Sequence, residues 1–136
     1  MPSLIVDSSA VASIVLGENP EIDAQWSALI VTGGALAPAH FPIELVNTLV
    51  MAVRRKRITE LHRSRALIEI AKLAIEIEPP LDWTDLERTS KLAQTHKLSV
   101  YDAIYLDAAM QIGLPLATHD KALRSAAQGL GVGLLQ

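Results

Sequence analysis

Four acidic residues stand at positions from which their carboxylates could meet in a folded chain. Asp7 ends the short apolar run 4–6, and Asp120 follows a second apolar run near the C-terminus. Glu44 and Asp102 lie near the starts of two segments with helical patterning. In a doubly wound sheet, the carboxyl ends of the strands and the beginnings of the following helices open on the same edge. We therefore expect these four carboxylates to converge at one edge of a sheet.

Converging carboxylates imply a bound cation, because they repel one another and take up protons unless a positive charge neutralises them. Oxygen-only donors select hard ions, so the pattern predicts Mg²⁺ or Mn²⁺ before Zn²⁺. The chain contains no cysteine, which excludes a zinc–thiolate site, a thiol nucleophile and a disulfide framework. No phosphate-binding or dinucleotide-binding glycine motif opens a helix, so nucleotide cofactors are not indicated either.

Three of the four acids also have a common structural explanation. Asp7 and Asp120 can cap the helices that follow them, and Asp102 can complete a capping box that begins at Ser99. Taken singly, each of the three is more often a cap than a ligand. Glu44 differs because it stands beside an apolar helical stripe, where an unpaired charge costs free energy. Its carboxylate therefore needs a partner.

Two further polar residues near these segments receive structural interpretations. Asp107 lies five residues after Asp102, a spacing that turns it away from the face of Asp102 on a helix. We expect Asp107 to face solvent or an interface. His119 lies beside Asp120 in a turn, where a histidine more often has a structural role than a catalytic one.

The apolar patterning predicts the elements that would position the acids. Short apolar runs predict five strands, at 4–6, 35–38, 75–78, 114–118 and 132–135. Helical periodicity predicts helices between them, the first capped by Ser8 or Ser9 and a later one opened by a capping box of Thr84 and Glu87. The alternation of strands and helices predicts a three-layer α/β/α sandwich with a mostly parallel central sheet of about five strands.

Composition narrows the class of protein. The 136 residues are 50% hydrophobic and carry a formal charge of −3. These values predict one domain, spanning residues 1–136, without a general attraction to nucleic acid. We find no N-terminal export signal, and no apolar run reaches the roughly 18 residues of a membrane helix. A soluble, cytoplasmic protein with no membrane partner is therefore expected.

Basic residues are concentrated in one short stretch whose only acid is Glu60. The common interpretation is a solvated helix end, where positive charge is favourable. The alternative is a surface that holds the phosphates of RNA. The stretch contains Arg54, Arg55, Lys56, Arg57, Arg63 and Arg65.

Four stretches carry a resemblance to a known family. They cover residues 5–10, 44–47, 98–106 and 116–123, and each contains one of the four acids. Singly they are weak signals, but their order along nearly the whole chain is specific. In this ordered set the sequence resembles the PIN-domain ribonucleases, and in particular the VapC-like toxins of toxin–antitoxin pairs.

The resemblance implies a carboxylate pocket that binds Mg²⁺ or Mn²⁺ directly or through water, with neighbouring polar side chains in support. The metal-binding and catalytic residues it implies are Asp7, Glu44, Asp102 and Asp120. The supporting residues it implies are Ser9, Asn47 and Thr118. Many relatives have a further acid shortly after the position of Asp120, whereas this chain has Lys121, Ala122 and Leu123 there. One or two bound ions are therefore both compatible with the sequence.

The function that the resemblance implies is metal-dependent endonucleolytic hydrolysis of RNA. An RNA substrate, a cognate antitoxin and a second copy of the chain in a homodimer are the implied partners. Two alternatives remain open at this point: a non-catalytic PIN-like module that binds a protein, and a housekeeping RNA-processing nuclease without an antitoxin.

Overall fold

The computed structural model describes residues 1–136 and contains a four-stranded parallel sheet flanked by helices. The strands are β1 (Leu4–Val6), β2 (Ala35–Ala37), β3 (Ile75–Ile77) and β4 (Leu116–Ala117). Their order in the sheet is β3-β2-β1-β4, and every pairing is parallel. The predicted three-layer α/β/α class is confirmed, with four strands in place of about five.

Seven helices connect and cover the strands. They are α1 (Ser8–Leu16), α2 (Pro20–Gly33), α3 (Phe41–Arg54), α4 (Glu60–Lys72), α5 (Trp83–His96), α6 (Val100–Ile112) and α7 (Lys121–Gly129). No helix has both the length and the apolar character needed to span a membrane. The alternation of strand and helix is the one predicted, because parallel neighbours require crossover connections.

The prediction of a fifth strand at 132–135 is wrong. Only one parallel bridge forms there, between Leu116 and Leu134. The Leu116 N–H donates to Gly133 O at 2.9 Å, and the Leu135 N–H donates to Leu116 O at 3.0 Å. Because β4 is itself only two residues long, it offers too little backbone for a longer ladder. The C-terminal segment therefore lies along β4 without extending the sheet.

The centre of the fold is β1. Leu4, Ile5 and Val6 are all essentially inaccessible to solvent, and β1 pairs with β2 on one side and β4 on the other. A strand buried on both faces is apolar throughout, as this one is. The residue that follows it, Asp7, is consequently attached to the buried centre of the sheet.

Two helix starts differ from the prediction. Asp7, and neither Ser8 nor Ser9, caps α1, because its Oδ1 accepts the Ala10 N–H at 2.9 Å. Helix α5 begins earlier than expected, with Asp82 Oδ1 accepting the Asp85 N–H at 2.8 Å. The predicted box of Thr84 and Glu87 is therefore wrong. An aspartate just upstream supplied an equally good cap.

Candidate active site

Two strand ends and two helix starts bring the four acids to the same edge of the sheet. Asp7 follows β1, and Asp120 lies just beyond the neighbouring strand β4. Glu44 lies in the first turn of α3, and Asp102 lies in the first turn of α6. Because β1 and β4 are parallel and adjacent, their carboxyl ends open together. The arrangement expected for the acids is thus present in the backbone.

Asp7 is the most buried of the four, with 3% of its surface exposed. Its Oδ1 accepts hydrogen bonds from the Ser9 hydroxyl at 2.7 Å and from the Ala10 N–H at 2.9 Å. Its Oδ2 accepts a short hydrogen bond from the Thr118 hydroxyl. Burial raises the pKa of Asp7 to about 6, and these hydrogen bonds oppose that rise. The charge of Glu44 adds to it.

Ser9 and Thr118 connect Asp7 to the segment that carries Asp120. Thr118 Oγ1 accepts the Asp120 N–H at 3.0 Å, and Ser9 Oγ accepts the His119 N–H at 2.9 Å. The two hydroxyl oxygens lie 3.3 Å apart. The pair therefore fixes the end of β1 relative to the end of β4. Asp120 itself caps α7, because its Oδ1 accepts the Leu123 N–H at 2.8 Å.

Glu44 is held by two hydroxyl groups. Its Oε1 accepts hydrogen bonds from Ser8 Oγ at 2.6 Å and from Tyr105 Oη at 2.9 Å. Both bonds engage the same oxygen, so Oε2 is the oxygen available to another partner. Burial, followed by the charge of Glu44, raises the pKa of Tyr105, which keeps its hydroxyl protonated as a donor. The need of Glu44 for a partner is met in this way.

Asp102 is half-buried, and its environment shows that the acids influence one another. Burial is the main cause that raises the pKa of Asp102 to about 6, and the charges of Asp120 and Glu44 add to it. The Asp102 N–H donates to Ser99 Oγ at 3.1 Å, as the predicted cap at Ser99 requires. The carboxylates are thus close enough to couple electrostatically.

The oxygen donors of the four acids are of the kind that binds a hard divalent cation, although they do not form a complete coordination site. The four side chains offer only carboxylate oxygens, which Mg²⁺ and Mn²⁺ prefer, and two of them have a raised pKa of about 6. No three His, Asp or Glu side chains are grouped so that they could hold a metal ion as they stand. Coordination would therefore require small side-chain adjustments or bridging water molecules.

Asn47, the third predicted supporting residue, is exposed on α3, one turn beyond Glu44. It lines an open cavity of about 400 Å³ with His40, Ile43, Glu44 and Tyr101. Asn47 is therefore next to the carboxylates and makes no hydrogen bond to them.

The structure places the first part of the basic stretch, residues 54–57, away from the carboxylates. Arg54 ends α3, ten residues beyond Glu44, which corresponds to about 15 Å along the helix axis. Arg57 pairs with Glu18, and the others except Arg63 are exposed. Contact with RNA at residues 54–57 would therefore lie away from the carboxylates.

Asp107, which was expected to face solvent or an interface, does not face solvent. Asp107 is 5% exposed, and both its oxygens accept hydrogen bonds from Arg88 at 2.9 Å. The pair joins α5 to α6, which explains why the carboxylate is turned away from Asp102. His119 packs against Trp26 with ring centroids 4.6 Å apart, which supports its structural interpretation.

Ser8 and Tyr105 are the site residues that sequence reasoning missed. Both lie within or beside the stretches that carried the resemblance, yet their bonds to Glu44 join positions 36 and 61 residues apart. The signal that could have indicated Tyr105 was its hydroxyl group, three residues after Asp102 and therefore on the same face of α6. A buried tyrosine hydroxyl normally finds a partner.

Comparison with known proteins identifies the family. The family model described as "PIN domain" matches residues 4–129. No curated protein sequence matches the chain. Among solved structures, PAE2754 from Pyrobaculum aerophilum superposes with a TM-score of 0.72 at 22% identity, covering 92% of this chain and 84% of that one. FitAcB from Neisseria gonorrhoeae superposes with a TM-score of 0.63 at 15% identity, covering 98% and 96%.

At such identities the two structures show a shared fold alone, whereas the family model spans nearly the whole chain. The chain belongs to the PIN-domain family, whose members are typically nucleases.

Proposed function

We propose that this protein is a Mg²⁺- or Mn²⁺-dependent endoribonuclease that hydrolyses RNA phosphodiester bonds at the sheet edge where Asp7, Glu44, Asp102 and Asp120 meet. The observation that carries the proposal is the position of these four acids, two after strand ends and two in the first turns of helices, at one edge of the sheet. Burial is the main cause that raises the pKa of Asp7 and of Asp102, and repulsion adds to it, from Glu44 at Asp7 and from Asp120 and Glu44 at Asp102. Such repulsion is what a divalent cation and a positively charged environment would relieve.

The four carboxylates would hold the ion, directly or through water. A bound divalent ion supplies neutralisation of phosphate charge and activation of a water nucleophile. Known hydrogen bonds leave Oε2 of Glu44 and Oδ2 of Asp120 uncommitted, because each residue uses its other oxygen. A hydrogen bond from the Ser99 side chain also reaches Asp102, and it lowers the pKa of that carboxyl.

The remaining residues hold the acids in place. Ser9 and Thr118 fix the Asp7 carboxylate and link it to the backbone before Asp120. Ser8 and Tyr105 fix one oxygen of Glu44. A preorganised set of ligands reduces the reorganisation that a reaction requires. The rate of cleavage should therefore depend on these hydroxyl groups as well as on the acids.

Cleavage of RNA by the purified protein and by two variants tests this proposal. We expect wild-type protein to cut RNA in Mg²⁺ or Mn²⁺ and not in a chelator, and Asp7→Asn and Asp102→Asn to lose at least about a hundredfold in rate. Asp82→Asn is the matched control, because Asp82 also caps a helix but lies outside the site. Unchanged cleavage in both site variants would refute the assignment.

We further propose that the nuclease is the toxin of a toxin–antitoxin pair. An apolar groove of about 260 Å³ lies between α3, α4 and β3, and its lining includes Phe41, Val46, Leu67, Ile70 and Ile77. Strand β3 is the edge of the sheet, so its outer side has no neighbouring strand. The apolar face of an antitoxin helix would fit such a groove. Expression with and without the neighbouring reading frame tests this role through growth arrest and its relief.

The groove also favours a second candidate, a non-catalytic module that binds a protein. That function requires the groove but not the carboxylates. Growth arrest that survives Asp7→Asn, together with no RNA cleavage in any divalent metal, would support it. A housekeeping nuclease would instead cut RNA without arresting growth or requiring an antitoxin.

A further inference from the structure

An open cavity adjoins the carboxylates on the side of α3 and α6. It has a volume of about 400 Å³ and is lined by His40, Ile43, Glu44, Asn47 and Tyr101. This volume lies in the range of small-molecule binding pockets. Glu44 belongs to both the cavity and the carboxylate group, so a ligand in the cavity would lie directly beside the reacting phosphate.

The cavity is lined by an exposed aromatic ring that lies next to other rings. Tyr101 is 61% exposed. Its ring centroid lies 5.8 Å from that of His40, which in turn lies 4.7 Å from that of the fully buried Tyr105. This row of rings extends from the core to the surface. Tyr101 is therefore supported from one side and accessible from another.

The other lining residues complement the ring. Ile43 is 76% exposed and provides apolar surface, while Asn47 is exposed and carries an amide with both a donor and an acceptor. A flat ring, an apolar edge and an amide together match the stacking face and the hydrogen-bonding edge of an unpaired nucleobase.

We propose that this cavity binds the base of an unpaired nucleotide of single-stranded RNA next to the scissile phosphate, with the base stacked on Tyr101 and its edge hydrogen-bonded by Asn47. The inference rests on the proposed nuclease function for the substrate, and it adds the cavity that receives the base and the roles of Tyr101 and Asn47 in holding it. A base within a duplex cannot stack on a protein ring, because its faces are covered by its neighbours.

Binding of short RNA oligonucleotides in a chelator-containing buffer, which prevents metal-dependent cleavage, tests the proposal. Fluorescence anisotropy gives the affinity, and quenching of a 2-aminopurine base reports stacking. We expect Tyr101→Ala and Tyr101→Leu to weaken binding by about ten- to a hundredfold and to abolish the quenching, whereas Tyr101→Phe keeps both. Asn47→Ala should reduce the difference in affinity between oligonucleotides that differ only in the stacked base.

Trp83→Ala is the control, because Trp83 is an aromatic residue that is 86% exposed and does not line the cavity. We expect it to bind RNA as wild-type protein does, and an equal loss there would overturn the assignment to this cavity. Unchanged binding by Tyr101→Ala, or binding of duplex RNA as tight as that of single strands, would also overturn it. A Tyr101→Ala variant that binds RNA normally but loses a protein partner would show a protein-docking surface instead.

These outcomes can be distinguished from a failure of the nuclease proposal. If wild-type protein cleaves RNA in Mg²⁺ while Tyr101 variants bind RNA normally, the nuclease stands and the base-binding cavity fails. If wild-type protein cleaves nothing but binds single-stranded RNA through Tyr101, the nuclease fails and the cavity stands.

Discussion

Replacing Asp7 by asparagine should stabilise the metal-free protein at neutral pH. Asp7 is buried, and its pKa rises from 3.8 to about 6. Between these two values the folded state binds more protons than the unfolded state, so stability falls as the pH rises through this window. Above about pH 6 the full cost of the buried charge is present, and below about pH 4 it is absent. Asparagine carries no charge and still caps a helix well.

The magnitude follows from the shift in pKa. About two pKa units correspond to about 3 kcal/mol of free energy of unfolding. Asp7 accepts three hydrogen bonds from Ser9, Ala10 and Thr118, and an asparagine amide cannot accept all of them. Weakening of one such bond costs about 1 kcal/mol. We therefore expect a net stabilisation of about 1–2 kcal/mol at pH 7.5.

Urea denaturation in a chelator-containing buffer at pH 7.5 and at pH 4 measures this effect. The stabilisation by Asp7→Asn should be present at pH 7.5 and largely lost at pH 4. Asp82→Asn, which replaces an exposed cap, should change stability by less than about 0.5 kcal/mol at either pH. A variant Asp7→Asn that is less stable than wild type at pH 7.5, or whose effect does not vary with pH, would refute the reasoning.

Three further predictions concern residues around the site. Tyr105→Phe removes one of the two hydrogen-bond donors to Glu44, so the rate of RNA cleavage should fall about tenfold. Circular dichroism should show that the fold is retained. An unchanged rate would show that Tyr105 does not position Glu44. Arg88→Gln leaves the buried Asp107 without its ion-pair partner, so the melting temperature should fall by several degrees while cleavage per folded molecule stays constant. If Arg54 and Arg55 each hold one phosphate, replacing both by glutamine should lower the log–log slope of RNA binding against salt concentration by roughly 1.4 for single-stranded RNA. An identical slope would favour a merely solvated helix end.

The parts of the fold that depend on local pattern could be predicted from the sequence. Strand β1 and the start of α6 after Ser99 lie where an apolar run and a capping residue indicated. The prediction of a strand at 132–135 was wrong because it rested on an apolar run alone. Such a run does not show whether the neighbouring strand, here β4, is long enough to pair with it. Boundaries set by a partner strand are not visible in the local sequence.

In the candidate site, too, features set by the local sequence could be predicted, whereas features set by distant partners could not. The positions of the four acids at one sheet edge could be predicted, because each follows a recognisable strand or lies near the start of a recognisable helix. A helix cap and a site residue were treated as alternative roles for an aspartate. Asp7 combines a cap with a position at the sheet edge, because it caps α1 and also accepts a hydrogen bond from Thr118. The partners of Glu44 and of Asp107 come from distant helices, and sequence spacing alone does not reveal them.

Calorimetric titration with Mn²⁺ at pH 7.5 is the most direct test of the claim that the edge carboxylates form a divalent-metal site. We predict that wild-type protein binds Mn²⁺ at this pH, and that the same titration at about pH 6 shows release of protons, because Asp7 and Asp102 have a raised pKa of about 6 and are about half protonated there in the absence of metal. Asp102→Asn should weaken the binding at least about tenfold, and Asp82→Asn should leave it unchanged. Failure of wild-type protein to bind Mn²⁺, or equal binding by Asp102→Asn, would contradict the account.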